Sequence, residues 1–88
     1  MVDIDGNEVK AGDVVEVLYI YPEFLDTLDD DMKTLHKDML GKQYPITELV
    51  EDGTKASIDM EWTTDEGVIF GGLYMIPSDF RLVCKNSR

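Results

Sequence analysis

One stretch of helical spacing is set inside a chain whose apolar residues otherwise alternate, and this contrast limits the folds open to it. Leu25, Leu28, Met32, Leu35 and Met39 recur at intervals of 3, 4, 3 and 4, the period of one face of an α-helix. Further on, Ala56, Ile58, Met60 and Trp62 alternate with Lys55, Ser57, Asp59 and Glu61, the pattern of a strand with one face in a core and one in water. Residues 14–21 are β-branched or aromatic almost throughout, which suits a strand buried on both faces for part of its length. A chain of 88 residues holds one core, so residues 1–88 read as a single domain. The expected class is mainly β (α+β), with one helix inserted in an excursion at about 22–40.

The helix is expected over 28–40. Thr27 is a good N-cap, Asp29, Asp30 and Asp31 fall in the first turn where the helix dipole favours anions, and Gly41 suits the C-cap. Residues 22–26 then form a turn leading into it, and Leu28, Met32, Leu35 and Met39 pack the helix across the sheet. Turns are expected at Asp5-Gly6, Ala11-Gly12-Asp13, Asp52-Gly53, Thr64 to Gly67 and Pro77-Ser78-Asp79, the last as one turn of 3₁₀ helix. They separate strands at 14–21, 43–50, 55–62, 68–76 and 80–84. Pro45 places its strand at an edge, Gly71-Gly72 marks a bulge or sharp bend, and 85–88 is a frayed tail.

Five short strands with tight turns remove their edges best by closing on themselves. Gly12-Asp13-Val14-Val15-Glu16-Val17 resembles the opening strand of SH3-like small barrels, and Pro77-Ser78-Asp79-Phe80-Arg81-Leu82-Val83 resembles their closing 3₁₀ turn and strand. The run Gly41-Lys42-Gln43-Tyr44-Pro45-Ile46, followed by Asp52-Gly53 and Trp62, is similar to small uncharacterised bacterial proteins with an acidic helix after the first long strand. The resemblance implies a partly open five-stranded SH3-like barrel with one inserted α-helix. It implies no chemistry.

Charge excludes several functions. The chain carries 19 acids against 8 bases, a formal −11. Nucleic-acid binding and adhesion to anionic membranes both need a basic footprint, so neither is expected. Residues 1–31 hold ten acids and one base, net −9, whereas 32–88 are nearly balanced at −2. If the early acids share a face, that face either solubilises the protein or steers a basic partner. No apolar run is long enough to span a membrane, no leader precedes the first turn, and Cys84 stands alone, so a cytoplasmic protein without disulfides is expected. Cys84, at the end of an apolar run, is expected to be a buried, inert thiol.

No catalytic motif, phosphate-cradling loop or metal-ligand spacing is present, so no enzyme activity, cofactor or metal is expected. Asp3-Ile4-Asp5-Gly6 fails as an EF-hand, because its sixth and twelfth positions are Glu8 and Val14. His36 lies beside the apolar stripe without a co-ligand and reads as a boundary residue. Aromatic residues are the better lead: Tyr19, Tyr21, Tyr44, Trp62, Phe70, Tyr74 and Phe80 either fill the core or grip an extended peptide. Trp62 is in phase with Ile58 and Met60 and is expected in the core. Tyr19 and Tyr21 become exposed if their strand outruns the sheet. With Asp26, Asp29, Asp30 and Asp31 they form the expected partner surface of a small acidic non-enzymatic interaction module. The alternative is a charge mimic that occupies a basic nucleic-acid-binding surface, in the manner of an inhibitor or immunity protein.

Overall fold

The computed structural model describes residues 1–86. The chain forms two three-stranded antiparallel sheets. Strand β1 (Val14–Val17) is followed by helices α1 (Pro22–Leu25) and α2 (Asp30–Lys37). Then come β2 (Gln43–Pro45), β3 (Glu48–Val50), β4 (Lys55–Thr64), β5 (Gly67–Met75), a 3₁₀ turn at Pro77–Asp79 and β6 (Phe80–Cys84). The sheet orders are β2-β1-β6 and β3-β4-β5. The mainly β class, the excursion after the first strand and the 3₁₀ turn are as expected.

The segment expected as one strand at 43–50 is divided. Gln43–Pro45 pairs with β1, Ile46 and Thr47 turn the chain, and Glu48–Val50 pairs with β4. One short segment thus contributes an edge to both sheets. Pro45 lies on an edge strand, where its missing N–H costs no ladder bond. The core gathers Val15 and Val17 of β1, Ile58 of β4, Leu73 and Met75 of β5 and Phe80 of β6, with Ile20, Leu25, Met39 and Ile46 from the connections.

Several expectations about local structure are corrected. The first strand ends at Val17, not residue 21. Residues 22–26, expected as a turn, hold helix α1, opened by Pro22 at its first turn, and the helix expected over 28–40 is the shorter α2, which starts at Asp30 and stops at Lys37. Its N-cap is Asp29, whose carboxylate accepts the Met32 N–H at 2.8 Å, while the Thr27 hydroxyl donates to the Phe24 carbonyl. Gly41 is in the left-handed region, but past the helix, and its N–H donates to the Val17 carbonyl at 2.8 Å. The apolar stripe is only partly used: Leu25 and Met39 are buried, Leu28, Met32 and Leu35 are half-buried, and His36 is the buried residue of α2.

Gly71-Gly72 is no bulge, because β5 pairs with β4 in one register from Gly67 to Met75. The glycines make room. A Cβ on Gly72 would lie 2.0 Å from the Ile58 carbonyl oxygen, and one on Gly71 would lie 3.0 Å from the His36 ring. Cys84 is exposed rather than buried. The tail at 85–86 is tied down, with the Asn86 N–H and the Lys85 ammonium both donating to Asp13; residues 87–88 of the expected frayed tail lie outside the described residues.

A candidate aromatic cleft

The chain leaves β1 as Leu18-Tyr19-Ile20-Tyr21. Ile20 turns inward and is buried, so its neighbours turn outward and both tyrosine rings are exposed. The rings meet edge to face at 90°, with centroids 5.1 Å apart. The segment is held by the 3₁₀ turn, whose Asp79 carbonyl accepts the N–H groups of Leu18 (2.8 Å) and Tyr19 (3.3 Å). The Asp79 side chain is buried and internally occupied, accepting from the Ile76 N–H at 3.1 Å and the Ser78 hydroxyl at 3.3 Å.

Tyr19 and Tyr21 face Phe24 of α1 and Tyr74 of β5 across an apolar cleft of about 170 Å³, with Asp79 at its wall. Tyr74 is 68 % exposed, so its ring stands at the rim. Burial raises the pKa of the Tyr21 hydroxyl, and the charge of Asp79 beside it raises it further.

Behind Phe24 lies His36. Its ring is 5.5 Å from Phe24 and 5.1 Å from Trp62, and the Gly71-Gly72 gap receives it. Nδ1 is 2.7 Å from the Met32 carbonyl oxygen, which can only accept, so Nδ1 carries the proton. Nε2 is then free to accept the Gly72 N–H, at 3.4 Å. His36 is therefore a structural link between α2 and β5, not a boundary residue. Trp62, expected in the core, is half-buried against it.

The expected partner residues are only partly brought together. Tyr19 and Tyr21 form one wall of the cleft, but none of the four aspartates lines it. Asp26 follows α1 and lies 3.9 Å from the Lys33 ammonium; Asp29 is the cap of α2; Asp30 and Asp31 occupy its first turn. Asp31 borders a second groove of about 410 Å³ with Leu35, Ile69 and the hairpin tip Asp65-Glu66.

Nor do the ten early acids form one face. Asp3 and Asp13 are buried. Asp3 accepts the N–H groups of Asp5 (3.0 Å), Asn7 (2.7 Å) and Leu82 (2.7 Å) and the Asn7 side-chain amide (3.2 Å). Asp13 accepts the N–H groups of Lys10 (2.9 Å) and Asn86 (2.7 Å) and pairs with the Lys85 ammonium at 3.2 Å. Burial alone would raise both pKa values, but these donors together outweigh it and hold both below the ordinary aspartate value. Both carboxylates are structural.

Sequence reasoning missed Phe24, Asp79 and His36. Phe24 had a signal in Pro22, a first-turn residue that places the ring one turn into a short helix. Asp79 had one in Pro-Ser-Asp, where an acid after a turn can reach back to an N–H. His36 had only the paired glycines opposite, whose alignment with it is set by the fold. No helix among the described residues is long and apolar enough to cross a membrane. No protein-family model, no curated protein and no solved structure matches this chain.

Proposed function

We propose that this protein is a non-enzymatic interaction module of the cytoplasm, built as a partly open SH3-like barrel, and that the aromatic cleft is its contact surface. The barrel reading is supported by the divided segment that lends an edge to each sheet and by the 3₁₀ turn that leads into β6 beside β1. The observation that carries the functional reading is the cleft itself: Tyr19, Tyr21, Phe24 and Tyr74 converge on an open apolar space from three separate elements. Amphipathic rings with few rotatable bonds are suited to gripping an extended peptide at little entropic cost. The partner is another protein that offers one bulky apolar side chain to the cleft. A basic residue beside it suits the carboxylates Asp26, Asp29, Asp30 and Asp31 on the helices that follow.

Charge mimicry is the weaker reading, because Asp3, Asp13 and Asp79 are buried and occupied by internal donors. A mimic needs its acids at the surface.

The test is selection of extended peptides from a display library, followed by titration into the ¹⁵N-labelled protein. Amide shifts should centre on Tyr19, Tyr21, Phe24 and Tyr74, and Tyr19→Ala should weaken binding about tenfold, the loss of ~1.4 kcal/mol. Binding unaffected by Tyr19→Ala and Tyr74→Ala together would remove the cleft from consideration.

A further inference from the structure

We propose that the free edge of β5 is a second docking site, which accepts an extended basic segment of another protein as an added strand. The other sheet edges are guarded. β2 and β3 are three residues each, and β2 contains Pro45. Along β6 the Ile4 N–H donates to the Phe80 carbonyl and the Leu82 N–H donates to the Asp3 carboxylate. The part of β4 that runs past β3 presents Glu61 and Thr63, polar side chains that discourage pairing. β5 has nine residues, Gly-Val-Ile-Phe-Gly-Gly-Leu-Tyr-Met, with no proline and no charge.

Its outward groups follow from the hairpin. The turn Asp65-Glu66 joins Thr64 to Gly67, so that pair is hydrogen-bonded and every second residue from Val68 turns its N–H and C=O away from β4. The Gly72 N–H is taken by His36. Those of Val68 and Phe70 have no partner among the described residues. Phe70 is 73 % exposed, and Val68 is exposed beside it. A long apolar edge with open donors and acceptors is a template for another strand.

Charge selects the occupant. On the outer face Glu61 lies directly across from Phe70. On the inner face Asp31, Asp65 and Glu66 border the groove floored by Leu35 and Ile69. None of these four carboxylates has an ion pair among the described residues. Side chains of an added strand alternate between the two faces, so lysines or arginines on either face can lay their stems on apolar floor and reach a carboxylate. A second copy of this chain brings −11 against −11. That repulsion keeps an apolar edge from self-pairing while leaving it open to a cation-bearing strand.

The test titrates the full chain, at 0.15 M salt, with a ten-residue peptide of alternating lysine and valine. A second peptide has the same side chains but an N-methylated backbone. The first should raise protection of the Val68 and Phe70 amides from exchange about tenfold. The N-methylated peptide should bind about tenfold more weakly, and so should the first peptide to the Phe70→Thr variant, which removes the apolar ring but puts a strand-favouring β-branched residue in its place. Sedimentation should show a monomer before the peptide is added. Equal affinity for the two peptides would reduce the effect to bulk charge and overturn the proposal. So would no binding, protection confined to other amides, or a dimer of the free protein in which Val68 and Phe70 are already protected.

Discussion

Replacing Asp3 by alanine should cost more than replacing any surface acid, and the structure sets the amount. Of the four hydrogen bonds to its carboxylate, three go to Asp5 and Asn7 in an exposed turn, where water can take over. The fourth comes from Leu82 in β6, 79 positions away, where the donor is half-buried. A bond to a charged acceptor is worth ~1.5–3 kcal/mol net, and the local three together add about 1 kcal/mol because their donors are rehydrated. The expected loss is therefore ~2.5–4 kcal/mol, against a total stability of roughly 4–13 kcal/mol for a domain of this size. Asp3→Asn keeps one acceptor oxygen but turns an NH₂ toward an N–H, so ~1.5–3 kcal/mol is expected. Urea unfolding at neutral pH measures both. The pH dependence gives a second reading. The folded pKa of Asp3 is lowered, so its contribution is complete above the unfolded value of about 3.8 and is lost as pH falls through the folded value. The gap between wild type and Asp3→Asn should hold at neutral pH and narrow in acid below that value. Losses under about 1 kcal/mol for both variants, the range of surface sites, would refute the clamp.

Three further outcomes follow from the packing. Gly72→Ala pushes a methyl into the Ile58 carbonyl at a φ of 153°, and thermal unfolding should show a loss of ~2 kcal/mol or more. Met39→Ala should cost ~2–5 kcal/mol, whereas half-buried Leu35→Ala should cost less than half as much in the same urea assay; equal losses would show that the stripe packs uniformly. Asp29→Ala should cost ~1 kcal/mol through its lost cap, but Asp30→Asn and Asp31→Asn each only ~0.3–1 kcal/mol, read by helical circular dichroism and melting.

The last three strands, the turns and the 3₁₀ element were legible because alternation and turn chemistry are local signals, whereas the early end of β1 and the division of 43–50 between two sheets depend on long-range pairing. Helix limits were not. Thr27 and Asp29 are near-equal caps by propensity, and Pro22 suits either a turn or a first helical residue; packing of Leu25 and Phe24 decides between them. His36 escaped because its burial depends on two glycines 35 and 36 positions away. Asp3 carried the signature of a side chain that bonds the N–H two residues on, but its tie to Leu82 has no local trace. For the cleft, Tyr19 and Tyr21 were readable and their opposite wall was not. Summed charge was a poor guide to an acidic face, since it counts buried and exposed carboxylates alike.

The two carboxylate clamps also bear on how the domain comes to be folded during synthesis. Asp3 is translated 79 positions before its far partner Leu82, and Asp13 73 positions before Asn86. β1 likewise waits for β6. Among the described residues only the β4–β5 hairpin pairs neighbours in sequence over a long stretch, and an isolated hairpin is marginal in water. The nascent chain thus leaves the ribosome with its apolar strands uncovered, and folding becomes cooperative only once residues 80–86 clear the exit tunnel. Through that interval the excess of carboxylates in the first third, ionised from the moment they emerge, keeps neighbouring nascent chains apart.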